Sequence, residues 1–273
     1  MRTHSFLVIN PRSGNDSPSP DELAAEAEHR GITAHVLQQG EDPGEVARQA
    51  RAERIGMAGG DGSLAAVAGV AVESDSAFVC IPYGTRNHFA RDLGLHRDDP
   101  IGALATFASP TERRIDAGLV NGRLFLNNVS LGVYARLVHR REHHRRRGEA
   151  LARARALVAV ALHRHRLRAR VNGENVTARA LFVGNNCYEL DLFTLGERAR
   201  LDEGRLFLWV ADGVLPTAWK RRTGSEFRVE LAGTRVRAAV DGEPVVFEPP
   251  LVFESLPQSL RVLVPESAPP SSP

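Results

Sequence analysis

Lysine is almost missing from this chain: Lys220 is the only one among 35 Lys and Arg residues. That excludes the P-loop, in which a lysine reaches the terminal phosphates of a nucleotide. Any phosphate site here has to rely on backbone amides, arginine and metal. Cysteine is scarce too. Cys80 and Cys187 stand far apart in apolar or glycine-rich surroundings, which excludes a disulfide framework and suits reduced thiols in a cytoplasmic protein. No apolar run reaches the ~18–20 residues of a membrane span. The longest candidate, Ala156 to Leu162, is bracketed by arginines. Ser5-Phe6-Leu7-Val8-Ile9 is too short for the apolar core of an export signal and reads as a strand. Neither sign of charge dominates: a net +2 over 273 residues does not make the whole chain a polyanion binder. With 42% hydrophobic and 25% charged residues, the composition is that of a globular protein able to bury a core in one domain or two.

What is present is a strand-to-helix turn rich in glycine. Ala58-Gly59-Gly60-Asp61-Gly62-Ser63 follows the apolar run Ile55-Gly56-Met57 and precedes the helix-like run Leu64 to Val72. Such a turn aims bare N–H groups at the positive end of a helix, where phosphate binds. Glycine reaches backbone angles other residues avoid and carries no side chain to hold a phosphate away. A tight connection needs glycine in any case. The aspartate among the three glycines is the more specific signal, because a carboxylate beside a phosphate nest calls for a metal or a proton between them.

The N-terminal part alternates strand and helix. Phe6 to Ile9, Ile32 to Leu37, Ile55 to Met57 and Ala77 to Ile81 read as strands, with helices starting at Ser19-Pro20-Asp21-Glu22 and running from Pro43 to Arg54. This rhythm predicts a parallel sheet with helices on both faces and a ligand site at the carboxyl ends of the strands. The turns Asn10 to Asn15, Gly59 to Ser63 and Pro82 to Asn87 all fall at that edge. The character changes near Pro110. Arg113 to Leu126 reads as a hairpin with Asn121-Gly122 at its turn. Short strands follow at Ala180 to Val183, Arg205 to Val210, Phe227 to Leu231, Thr234 to Val240, Pro244 to Phe247, Leu251 to Phe253 and Leu260 to Val264. The expected division is an α/β domain carrying the phosphate site over 1–110, a mostly β domain over 111–264 and a disordered Pro- and Ser-rich tail over 265–273. A basic helical insertion is expected over 136–170, with twelve arginines and five histidines against two glutamates. It reads either as a solvated helix or as an attraction to anionic lipid head groups, about 1 kcal/mol per basic residue near such a surface. Nucleic-acid binding is disfavoured, since aromatics are not interleaved.

Taken in order, Asn10-Pro11-Arg12-Ser13-Gly14, Gly59-Gly60-Asp61-Gly62-Ser63, Pro82-Tyr83-Gly84-Thr85-Arg86-Asn87-His88-Phe89-Ala90, Asp116-Ala117-Gly118, Phe125 to Gly132, Leu201-Asp202-Glu203-Gly204-Arg205-Leu206 and Val240-Asp241-Gly242-Glu243-Pro244 resemble the diacylglycerol kinase catalytic-domain family. That family includes bacterial lipid kinases and sphingosine kinases and is related to NAD kinases. The resemblance implies a two-domain, NAD kinase/diacylglycerol kinase-like fold. It implies an ATP- and Mg2+-dependent kinase that phosphorylates a lipid hydroxyl, with peripheral membrane contact and a possible homodimer. By the same resemblance Asn10, Gly59, Gly60, Asp61, Gly62, Ser63, Gly84, Thr85 and Asn87 contact nucleotide. Asp241 and Glu243 match the segment that carries the base. Asp61, by its place beside the phosphate nest, can engage the catalytic metal. Asp116, Asp202 and Glu203 belong to a structural magnesium site and its acidic network. The chain departs from the family at Ser63, where threonine is usual, and at Ala66, Arg86, His88 and Glu203. Two other readings stand beside the lipid kinase: a non-catalytic nucleotide- or lipid-binding homologue, and an NAD kinase-like enzyme.

Overall fold

In the computed structural model, residues 4–13, 18–85, 87–132, 166–188, 190–191, 194–195, 198–212 and 219–266 are described. Two units form: Met1–Ala117 with Pro257–Pro273, and Gly118–Leu256. The division lies beyond Pro110, and the first unit takes back Pro257 to Val264, which the sequence reading gave to the β domain.

The first unit contains β1 (Ser5–Ile9), α1 (Pro20–His29), β2 (Thr33–Val36), α2 (Pro43–Ala50), β3 (Arg54–Gly59), α3 (Asp61–Ser74), β4 (Ala77–Pro82), the short helices α4 (His88–Asp92) and α5 (Pro100–Ala103), and a 3-10 turn at Leu104–Ala108. Its strands are parallel in the order β2-β1-β3-β4. The step from β1 to β2 runs one way along the sheet, and those from β2 to β3 and β3 to β4 run the other. Right-handed crossovers therefore put α1 on one face and α2 with α3 on the opposite one. The packing agrees: α2 lies against α3, and α1 against α5. The start of α1 was legible in sequence. The Glu22 amide donates to Ser19 Oγ at 3.2 Å and the Ser19 amide to Glu22 Oε2 at 2.7 Å, a reciprocal cap with Pro20 in the first turn. α2 is shorter than expected and stops at Ala50, because Arg51 turns left-handed (φ 46°).

The second unit begins with the end of β5 (Glu112–Val120), whose larger part lies in the first unit. It continues with β6 (Arg123–Phe125), β7 (Asn128–Gly132), β8 (Leu167–Val171), β9 (Glu174–Ala178), β10 (Ala180–Asn185), β11 (Leu190–Asp191), β12 (Thr194–Leu195), β13 (Leu206–Ala211), β14 (Trp219–Gly224), β15 (Glu226–Leu231), β16 (Val236–Val240), β17 (Glu243–Phe247) and the start of β18 (Leu251–Leu263). One antiparallel sheet has the order β14-β13-β10-β7-β16-β17. A second layer comes from β18, β15, β8 and β9. Between the layers lies one apolar core, with Val129, Leu131, Leu181, Leu206, Leu208 and Val240 from the first sheet and Val171, Phe227, Val229 and Phe253 from the second. Three hairpins turn on Asx-Gly pairs, Asn121-Gly122, Asn172-Gly173 and Asp241-Gly242, each with positive φ at both residues.

Part of the basic stretch is corrected here: Leu167 to Arg170 belongs to a strand, not a helix. Ala169 and Val171 are buried while Arg168 and Arg170 are exposed, a period of two that fits half-buried β structure. Residues 136–165 of that stretch and 267–273 of the expected tail lie outside the described residues. Among those described, no helix is long and apolar enough to cross a membrane.

Where β18 returns to the first unit it runs parallel to β4, with Val262 opposite Phe78. Arg261 on this segment grips Glu112 with two contacts of 2.8 Å and also bonds the Asp75 carbonyl at the end of α3. The Arg261 guanidinium holds the Glu112 carboxyl below its ordinary range. Its stabilising contribution is therefore complete above the unfolded carboxyl value and is lost as pH falls through the lowered folded one. Because the pair is solvent-accessible, the effect is small, under about 1 kcal/mol. In urea titrations from pH 7 down to pH 3, the stability gap between wild type and Arg261→Met should narrow as the pH falls; a gap independent of pH would contradict this.

Candidate functional site

The first unit brings its three polar turns together at the carboxyl edge of the sheet. The crossovers leaving β1 and β3 go to opposite faces, so a crevice opens between the ends of these neighbouring strands, where ligands of open α/β sheets bind. Asn10, just past β1, and the Gly59-Gly60 pair at the end of β3 flank it. The Asn10 side-chain amide donates to Ser63 Oγ at 2.9 Å, and Asn10 Oδ1 accepts from the Arg12 amide at 3.0 Å. Ser63, on the first turn of α3, is thus tied to the end of β1 through the hydroxyl that replaces the threonine.

The turn after β4 meets the same place. Asn87 (φ 48°) folds its side chain back on the loop: Oδ1 accepts from the Gly84 amide at 2.8 Å, while Nδ2 donates to the carbonyls of Gly84 at 2.9 Å and Arg97 at 2.8 Å. This buries Asn87 (4% exposed) and leaves Thr85 at the surface. Gly84 and Gly60 then touch backbone to backbone. A Cβ built on Gly84 would sit 2.5 Å from Gly60 Cα and 3.1 Å from Gly60 N. Built on Gly60, it would meet only Gly84 Cα at 3.9 Å, so at Gly60 the absent side chain leaves space rather than relieving a clash. Bare backbone facing a crevice at the start of a 14-residue helix suits the oxygens of a phosphate chain.

Asp61 has a defined place in this arrangement. Its Oδ1 accepts from the Phe89 amide at 3.1 Å and its Oδ2 from the His88 amide at 3.3 Å, so one carboxylate at the start of α3 caps the start of α4. Burial, and after it the Asp61 carboxylate, push the Cys80 thiol well above its ordinary range.

The other predicted site residues lie in the second unit, apart from Asp116. Asp241 is buried (7% exposed), and its carboxylate accepts three successive amides, Leu126 at 2.8 Å, Asn127 at 2.8 Å and Asn128 at 3.0 Å. Glu243 is different: its side chain is 46% exposed and stands 3.7 Å from an Arg123 nitrogen. Two residues apart in sequence, one carboxylate is locked in a backbone nest and the other faces solvent. Around the nest the structure adds Asn127, Asn185 and Arg198, all buried, which sequence reasoning did not single out as site residues. The Asn-Asn doublets at 127–128 and 185–186 were the available signal, because neither residue favours a strand interior.

Asp116 (1% exposed) accepts the Gln258 amide at 2.8 Å within the first unit. In the second, Asp202 pairs with Arg200 at 2.9 Å, and Glu203 Oε2 accepts the Cys187 amide at 2.5 Å while its own amide donates to Asn186 Oδ1 at 2.9 Å. Each carboxylate of the expected magnesium set thus has a protein donor. Among the described residues no three His, Cys, Asp or Glu side chains come together as metal ligands. The described side chains therefore do not fit a preassembled metal cage. A magnesium ion arriving with a nucleotide would draw most of its oxygens from phosphate and water.

Residues 4–120 match the family model for the diacylglycerol kinase catalytic domain. A diacylglycerol kinase of Bacillus subtilis is 32% identical over 130 residues, covering 44% of this chain and 43% of that one. A Pseudomonas aeruginosa protein named "Probable lipid kinase YegS-like" is 32% identical over 133 residues, 46% of this chain and 43% of its own. The matched stretch spans less than half of each relative. In overall fold the chain is similar to a crystal structure of a diacylglycerol kinase from Bacillus anthracis, with a TM-score of 0.70, 16% identity, and coverage of 98% of this chain and 99% of the other.

Proposed function

We propose, from the premise that residues 4–120 carry the catalytic domain of the diacylglycerol kinase family, that this chain transfers the γ-phosphate of ATP to the hydroxyl of a lipid, with diacylglycerol as the first acceptor to test. The observation that carries the reading is the backbone contact of Gly60 with Gly84 at the crevice between β1 and β3, bordered by Asn10, Ser63 and Asn87. Phosphoryl transfer asks a protein chiefly to position the phosphate chain and neutralise its charge. With one lysine in the chain, backbone amides at the start of α3 take the first role, and magnesium bound to the nucleotide takes much of the second. Accepting the proton of the attacking hydroxyl falls to Glu243, since the Asp241 carboxylate is committed to three amides and Asp61 to two. The exposed arginines Arg166, Arg168 and Arg170 carry the basic stretch up to the edge of the described structure, consistent with attraction to an anionic lipid surface.

A second reading, a homologue that binds nucleotide without transferring phosphate, draws support from Asp61, whose two oxygens cap α4. Labelled γ-phosphate transfer from Mg-ATP to lipids in mixed micelles separates the two. The kinase reading expects label in one lipid, with kcat reduced at least about a hundredfold in Glu243→Gln. ATP binding with no labelled lipid, from any acceptor, leaves the binding homologue.

A further inference from the structure

Arg198 is buried (6% exposed), and its contacts define a task. Its Nη1 donates to the carbonyls of Leu126 at 2.7 Å and Asn185 at 3.2 Å, and its Nη2 to Asn127 Oδ1 at 2.8 Å. The guanidinium carbon lies 5.1 Å from the centre of the Tyr188 ring, in cation–π range. Asp241 grips the same turn from its other side, through the amides of Leu126, Asn127 and Asn128. The peptide group between Leu126 and Asn127 thus presents its N–H to a buried anion and its oxygen to a buried cation. Each charge polarises the dipole that the other engages, which lowers the cost of burying both.

The turn matters because of what Asp241 does next along the chain. Asp241 and Gly242 form the two-residue connection between β16 and β17, with Val240 paired to Glu243. The Asp241 amide also donates to the Asn128 carbonyl at 2.9 Å. The Glu243 backbone is therefore set by where the hairpin tip docks, and the tip docks on residues 126–128. We propose that Arg198 is a positioning residue for Glu243: by holding the oxygens of Leu126 and Asn127 it fixes the amide nest that seats Asp241, and so orients the carboxylate two residues on. The inference rests on the kinase reading for its consequence in catalysis, and on geometry alone for its consequence in structure. Lysine cannot replace this arginine, since one ammonium on a flexible stem cannot span three oxygens in a fixed fork.

The test compares Arg198→Met, Arg198→Lys, Asp241→Asn and the Arg198→Met/Asp241→Asn double variant. Leu208→Ala, in the core of the same unit, serves as a control for lost stability. Hydrogen exchange is read on peptides covering 123–130 and 240–244, and steady-state transfer from Mg-ATP gives kcat and KM. In Arg198→Met, exchange should rise about tenfold or more in both peptides, and kcat should fall about tenfold with the KM for ATP unchanged. Arg198→Lys should recover little, and the double variant should be no slower than its slower parent, because both act through one turn. Leu208→Ala should lose melting temperature while keeping kcat below it. The inference is overturned if Arg198→Met leaves exchange at 240–244 unchanged, if it tracks Leu208→Ala in every readout, or if the two single defects multiply in the double variant. Should the intact chain phosphorylate no lipid, the exchange measurement decides alone: rapid exchange in both peptides supports the inference and wild-type exchange rejects it.

Discussion

Gly84→Ala is expected to weaken ATP binding at least about tenfold and to lower the melting temperature as well. The added methyl would lie 2.5 Å from Gly60 Cα, 3.1 Å from Gly60 N and 2.9 Å from Asn87 Oδ1. Two of these three neighbours are backbone, and the third is an oxygen fixed by the Gly84 amide at 2.8 Å. No flexible side-chain end is there to give way, so the turn after β4 has to move off the turn after β3. Movement of that kind in a packed region costs about 1–3 kcal/mol. Gly60→Ala is the informative companion. Gly60 has φ −80° and ψ 169°, an extended conformation open to any residue, and its Cβ would meet only Gly84 Cα at an ordinary 3.9 Å. This variant should keep its melting temperature and still lose ATP affinity, because the methyl occupies the space where a phosphate would approach the backbone. Calorimetric titration with a non-hydrolysable ATP analogue, beside thermal melts, checks both. Wild-type affinity in Gly60→Ala would place the phosphate chain elsewhere.

The polar turns at the carboxyl edge of the sheet were legible because each is continuous in sequence, and a glycine pair between an apolar strand and a helix has few uses. The start of α1 was legible for the same reason, with Ser19, Pro20 and Glu22 adjacent. What escaped sequence reading is the set of partners. Asp61 bonds amides 27 and 28 residues away, and Asp241 bonds amides 113 to 115 residues away. A backbone amide carries no residue signature, so the text of the chain cannot show that a carboxylate is already committed. The missed strands have local explanations. β14 is Trp-Lys-Arg-Arg-Thr-Gly, a polar edge strand with none of the apolar alternation that marks a strand facing a core. β8 places arginine at alternate positions inside a longer arginine-rich stretch, so its period of two was hidden in the composition. β18 was read as two short strands because Pro257 interrupts it. The strand nonetheless continues, with Gln258 in a left-handed conformation (φ 48°) and its amide held by Asp116.

The two carboxylates of the Asp-Gly-Glu segment should separate cleanly on mutation. Asp241→Ala leaves three amides in a buried nest without their acceptor, and stability should fall by about 3–5 kcal/mol in urea unfolding. Asp241→Asn keeps a carbonyl oxygen but turns an amino group toward donors, so it should lose a smaller part of that stability. Glu243→Gln changes a half-exposed side chain at the first residue of β17 and should leave unfolding within about 0.5 kcal/mol of wild type. In transfer assays the order reverses in cause. Glu243→Gln should lose kcat at least about a hundredfold at unchanged stability, since its amide cannot take a proton from the attacking hydroxyl. Asp241→Asn should lose activity only as far as the nest loosens and Glu243 is displaced. If Asp241→Asn instead stayed as stable as wild type and abolished transfer, while Glu243→Gln kept its rate, the base would be Asp241. Three backbone N–H groups already occupy its two oxygens, so that outcome would require the nest to open during turnover.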